Sequence, residues 1–365
     1  MNSLLVGTRK GLFVLNRNEN SAWSITALHF PGEPVSQVLA DPRDGSWYAA
    51  LRLGHFGVKL KRSSNSGAYW EEITAPAFPL KPTEGPLAKD QTPWTVDMIW
   101  SLAAGGPEEP GVLWAGCLPA GLFRSDNKGL SWVLNKSLWE NPLRQQWFGG
   151  GYDHAGIHSI LVDPRDASHL TLGISCGGVW QTHDSGRSWM LSAKGMKADF
   201  MPAERTEDEN IQDPHCLVQC KTNPDVLWVQ HHCGIYRSED AGHSWRNTAA
   251  PQPSGFGFAV ACDPNNAERA WFVPAQADSL RIPVEAKLVV NRTDDGGNSF
   301  TTLSQGLPST HAYHLIYRHA LDVSRDGKTL AMGSTTGGLW LSEDAGQSWH
   351  CVSQDLPPIA TVHLL

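Results

Sequence analysis

Three of the fifteen histidines recur at one place in a longer pattern. His158 opens His158-Ser159-Ile160-Leu161-Val162-Asp163, and His215 opens His215-Cys216-Leu217-Val218-Gln219-Cys220. The two segments align without a gap, and His319 in Tyr317-Arg318-His319-Ala320-Leu321-Asp322 falls near the same phase. Neutral imidazole is a ligand for Zn, Mn, Fe or Cu, and several imidazoles beside a carboxylate can hold a divalent transition metal. His158, His215 and His319 are the first candidate ligands, with His232 or His154 as a fourth and Asp97 or Asp153 to orient the rings. Alternatively, an imidazole beside a cation such as Arg52 or Arg318 can act as general base. The candidate catalytic set is then His158, His215, His319, Arg318 and Asp97. Taken singly, each histidine is better explained as a hydrogen-bonded structural residue. The shared phase argues for function, because the corresponding residue in other segments is Ser36 or Phe258.

Other groups point less sharply to chemistry. Cys117, Cys176 and Cys233 also share a phase, where small residues filling a tight turn suffice as an explanation. Glu204, Glu207, Asp208 and Glu209 form an acidic run of the kind a solvated loop carries. Trp139, Trp147 and Phe148, just before His154, form either a stacking wall for a sugar or the core of their own loop.

What must position these residues is a repeat. The pattern Ser/Thr-x-Asp-x-Gly-x-x-aromatic begins at residues 63, 125, 182, 238, 293 and 342, at spacings of 62, 57, 56, 55 and 49, with Asn65 and Asn127 replacing the Asp in the first two. A near-constant period marks a repeat architecture. The Asp or Asn accepts turn N–H groups, and the Gly supplies the positive φ that the turn needs. Between copies, short apolar runs such as Leu4-Leu5-Val6 and Gly11-Leu12-Phe13-Val14 read as strands, with a further one over residues 21–26. Seven units follow, starting near residues 4, 35, 96, 157, 215, 257 and 313. The first lacks one strand, and residues 358–365 can supply it, leaving no open sheet edge.

The six copies resemble the Asp-box, or BNR-repeat, β-propellers. That resemblance implies an all-β, seven-bladed β-propeller, a single domain over residues 1–365, closed by strands from both termini. The copies would then lie on the face away from the chemistry. More narrowly, residues 317–322 and 333–340, with His231-His232-Cys233-Gly234, resemble bacterial proteins labelled sialidase-like or glycosyl hydrolase. A true sialidase is not expected. Its early Arg-Ile-Pro motif appears here only as Arg281-Ile282-Pro283, after four copies of the repeat.

The bulk properties narrow the partners. A net charge of −8 offers no electrostatic attraction to nucleic acid or to an anionic membrane. No apolar run approaches the ~20 residues of a membrane helix. Seven cysteines without a CxxC pair, and an N-terminus reading as strand, suggest reduced thiols and a cytoplasmic location. The expected function is an enzyme acting at the His-rich site, by hydrolysis or elimination, on a carbohydrate or similar polar small molecule. The alternatives are a non-catalytic binding or assembly propeller, and a metal-binding protein without turnover.

Overall fold

A computed structural model describes residues 3–18 and 22–365. Ser21, at the expected start of the third strand, lies outside the described residues, and that strand runs over Trp23–His29. The strands form seven four-stranded antiparallel sheets, and the fold is an all-β, seven-bladed propeller. Blade one takes its first strand, Ile359–Leu364, from the far end of the sequence and pairs it with Ser3–Thr8. Leu4 lies opposite Leu364 and Val6 opposite Val362, so the apolar faces of the two terminal strands register.

The first strands of the next five blades are Val35–Ala40, Met98–Ala104, Ile157–Val162, Pro214–Gln219 and Gly257–Cys262. In blade seven the first strand is Leu321–Val323, later than the expected start near residue 313. Residues 313–320 instead approach the chain's last strand, with His319 bridging in parallel to Thr361. Among the described residues no helix is long and apolar enough to cross a membrane.

The second strand of a blade is buried on both faces. Leu113–Leu118 and Leu170–Ile174 are buried throughout, which explains the unbroken apolar run of the first where alternation would mark a half-exposed strand. The outer strands of blades three and four are short, two residues each at Val133–Leu134 and Met190–Leu191, which limits the exposed ladder edge there, whereas that of blade one, Trp23–His29, has seven.

The repeated motif forms the turn from third to fourth strand. In the copy at 238–245 the Ser238 hydroxyl accepts the Gly242 N–H at 2.8 Å, and Asp240 Oδ1 accepts the Ser244 N–H at 2.9 Å. Ala241 and Gly242 both take positive φ, 58° and 88°. Two consecutive left-handed residues make the tight turn that suits a twisted hairpin, which is why the motif requires Gly there. The closing Trp ties adjacent blades: Trp132 donates to the Thr74 carbonyl and Trp189 to Asn135 Oδ1, each at 2.9 Å.

Close packing gathers the chain into two compact units, residues 39–214 and residues 1–38 with 215–365. The division falls inside the first strands of blades two and five. The unit 39–214 is built around Leu113, Phe123, Trp139, Leu172 and Trp180. The other unit is built around Leu4, Trp228, Trp271, Leu330 and Trp340.

Candidate functional site

Within residues 39–214, the segment between blades three and four builds a walled cavity. Asn135 caps the short helix Lys136–Trp139, its Oδ1 accepting the Leu138 N–H at 3.0 Å. Trp139 is thereby held in the core, its ring 4.5 Å from Phe78 and 5.6 Å from Trp94. It is part of the apolar core that the unit shares with Leu113 and Phe123, and not an exposed stacking surface. Arg144 lies over that indole at 4.0 Å, donates to the Trp139 carbonyl and pairs with Asp90. Burial pushes the Asp90 carboxyl up, but the Thr92 amide and the Arg144 guanidinium outweigh it and hold the group below the ordinary carboxylate range. Trp147 donates to Asn210 Oδ1 at 2.9 Å and meets Trp180 edge-on.

On this rigid wall sits a cavity of about 210 Å³, lined by Arg144, Trp147, Phe148, Asp153 and His154. Phe148 keeps 38% of its surface exposed and is the accessible aromatic face. Beside Asp153 in the chain, Tyr152 lies under the Arg52 guanidinium, 5.4 Å from its ring centre, and meets Trp100 edge-on at 5.2 Å. Arg52 donates to Asp97 Oδ2 at 2.5 Å.

His158 follows this cluster, with its ring 5.7 Å from Trp100. It has no exposed surface; Nδ1 lies 2.9 Å from the Ser159 hydroxyl and Nε2 lies 2.7 Å from the Pro214 carbonyl. A carbonyl only accepts, so Nε2 carries the proton, and Nδ1 takes the hydroxyl hydrogen bond. A metal bound to His158 would have to displace one of these bonds.

In the other unit, His215 occupies the same second position of its strand that His158 occupies in Ile157–Val162. Ser36 and Phe258 hold that position in blades two and six, whereas Asp97 and His319 precede their strands. His215 Nδ1 donates to the Gly257 carbonyl at 2.6 Å, and the ring stacks on Phe258 at 4.6 Å. His232 meets it edge-on at 5.4 Å. Next to His232, the buried His231 accepts the Cys233 N–H at Nδ1, 3.0 Å away. His232, Cys233, Asn247, Thr248 and Phe256 line a second cavity, of about 310 Å³.

His319 uses its backbone carbonyl to accept the Val362 N–H at 2.8 Å, and Arg318 lies over Phe258 at 5.5 Å. Within this unit the expected ligands His215 and His232 thus come together, while His319 is engaged with the last strand.

No family model matches the chain. Among curated proteins, an oligoxyloglucan-reducing end-specific xyloglucanase of Emericella nidulans is 25% identical over 229 residues, covering 60% of this chain. The chain spans only 26% of that relative's length. Among solved structures, an ancestral GH74 enzyme superposes with a TM-score of 0.59 at 16% identity, over 87% of this chain and 38% of that one. YCF48 bound to D1 peptide gives a TM-score of 0.52 at 14% identity, over 87% of this chain and 80% of that one. At these identities the structural likeness is one of fold.

Proposed function

We propose that the protein binds an oligosaccharide at the cavity beside Phe148 and hydrolyses it. The observation that carries the reading is that cavity, where an exposed aromatic face, a carboxyl and an imidazole line about 210 Å³ on a wall fixed by the Arg144–Asp90 pair. An aromatic face complements the apolar side of a sugar ring, and the polar groups orient its hydroxyls. The volume is below the ~300–1,000 Å³ of sites that enclose a whole drug-sized ligand. It suits one terminal unit of a chain better than an internal stretch. The sequence likeness to a xyloglucanase supports a sugar polymer as the source of that unit.

In this reading Asp153 or His154 donates a proton to the leaving glycosidic oxygen as its bond to the anomeric carbon breaks. Water supplies the hydroxyl that replaces it. The proton that water loses goes to a second carboxylate, for which Asp97, held by Arg52 outside the cavity lining, is the candidate.

A panel of oligosaccharides, xyloglucan fragments included, tests this by calorimetric binding and by release of new reducing ends. Phe148→Ala is expected to weaken binding ~2–10-fold, the range of a single aromatic contact. Asp153→Asn is expected to slow cleavage while leaving binding in place. If no saccharide in the panel is bound or cleaved by the unaltered protein, the reading fails.

A further inference from the structure

We propose that Thr336 is a nucleophilic hydroxyl, with His314 as its general base, that accepts an acyl group from a small activated ester or thioester. The proposal stands apart from the saccharide reading and involves none of its residues. It starts from a contact between side chains 22 residues apart: His314 Nδ1 lies 2.6 Å from Thr336 Oγ1. A base within ~2.6–3.2 Å of the hydroxyl whose proton it takes is the arrangement that activates a weak oxygen nucleophile. In the tautomer protonated at Nε2, the Thr336 hydroxyl donates to Nδ1. Burial pushes the His314 imidazole below its ordinary value, so the ring is neutral at neutral pH and able to take that proton.

A second hydroxyl orders the pair. Ser334 has no exposed surface; its Oγ accepts the Gly338 N–H at 2.9 Å and lies 2.9 Å from Thr336 Oγ1. With the serine proton donated to Thr336 Oγ1, the threonine's own proton is directed at the imidazole. The chain of groups runs from a buried serine to an exposed threonine, which an acyl donor can reach.

These residues sit on a rigid turn. Strands Leu330–Gly333 and Leu339–Ser342 pair in blade seven, and residues 334–338 join them. Gly337 takes φ 90°, and a Cβ there would lie 1.8 Å from the Leu356 carbonyl oxygen, so only glycine fits. The Ser334 N–H donates to the Gly338 carbonyl at 2.8 Å, closing the turn. The Thr335 N–H donates to the Leu315 carbonyl at 2.9 Å, and the Ile359 N–H to the Ser334 carbonyl at 3.0 Å. His314 packs edge-on against Trp340, with ring centres 4.8 Å apart. Backbone bonds therefore already tie the turn to the segment that carries His314. The bond between the two side chains is not needed for that purpose.

In the step proposed, Thr336 Oγ1 attacks the carbonyl carbon while its proton passes to His314 Nδ1. The bond from that carbon to the alcohol oxygen or thiol sulfur then breaks, and the leaving group takes the proton from His314. Water releases the acyl group from the threonine ester, losing a proton to the same imidazole, which returns it to Thr336 Oγ1.

The test mixes the full chain with p-nitrophenyl acetate, quenches in acid within the first turnover and maps acetyl groups by tandem mass spectrometry. A burst of one p-nitrophenolate per chain is expected, with acetyl on Thr336. Thr336→Val keeps the shape of an exposed side chain, so it should fold and lose both signals. Thr336→Ser keeps the hydroxyl and should retain them. His314→Gln is expected to slow acetylation of Thr336 by ~10²–10⁴-fold, the contribution of a positioned base. Release that depends on Thr336 without a trapped acetyl also supports the site, as rapid loss of the acyl group. Absence of both the acetyl and any release that depends on Thr336 overturns it, wherever else the reagent reacts. So does acetylation of Thr336 at an undiminished rate in His314→Gln.

Discussion

Removing one turn carboxylate, Asp240→Ala, isolates what the repeated motif contributes. Asp240 Oδ1 accepts the Ser244 N–H at 2.9 Å and meets the Ser238 hydroxyl at 2.8 Å, while Oδ2 takes the Ser244 hydroxyl at 2.5 Å. Alanine removes all three. At an exposed turn each lies at the low end of the ~0.5–1.5 kcal/mol net range, so the loss is about 1–2 kcal/mol. With ~2.1 cal/mol/K of unfolding entropy per residue over 365 residues, that lowers the melting temperature by ~1–3 °C. Asp240→Asn should cost much less. Blades two and three already use Asn, and Asn127 keeps the turn by accepting the Ser131 N–H and donating to the Ser131 hydroxyl, each at 2.9 Å. Scanning calorimetry of the three proteins at neutral pH is the assay.

Acid titration adds a second arm. Burial raises the Asp240 carboxyl, but the Ser244 hydroxyl and amide and the Ser238 hydroxyl outweigh it and hold it below the ordinary range. For Asp295 the Ser299 hydroxyl and amide hold the carboxyl at about 2. A carboxyl depressed in the folded state contributes stability that is full above its unfolded value near ~3.9 and is lost as pH falls through the folded one. The advantage of wild type over an Asp295→Asn variant should therefore shrink between pH ~4 and about 2. An Asp240→Ala protein that melts with wild type, or an Asn variant as damaged as the Ala one, refutes the assignment.

Two further outcomes follow from packing. Deleting residues 359–365 removes Ile359, Val362 and Leu364, each 6% exposed or less, at ~1.5–3 kcal/mol apiece, and uncovers Ser3–Thr8. Circular dichroism should show a large fall in melting temperature, and an unchanged melt would rule out pairing of the terminal strands. Asp90→Ala leaves the buried Arg144 guanidinium without its partner and is expected to cost ~3–5 kcal/mol by denaturant unfolding. A cost below ~1 kcal/mol would mean that this pair does not hold the cavity wall.

The sequence by itself determined the blades. Six copies of one turn motif recur with a Gly where the backbone needs positive φ, and apolar runs between them have strand length. Such local chemistry acts within a few residues, so it can be read without knowing the fold. The terminal strand was legible for a related reason: one unit was a strand short, and residues 358–365 were a strand without a unit. The phase shared by His158 and His215 was also correctly read, since both take the second position of their blade's first strand.

Only the tertiary structure decided what those histidines meet. His158 is closed in by Ser159 and the Pro214 carbonyl, whereas His215 is turned by the Gly257 carbonyl, forty-two residues away, to face His232. Trp139 read equally as a sugar platform or as packed core, and Phe78 and Trp94 bury it, leaving the exposed face to Phe148. Side-chain type and spacing set which chemistry is available. The hydrogen-bond partner on each ring nitrogen, and the neighbour packed on each aromatic face, come from distant segments, and these select the groups that remain to act.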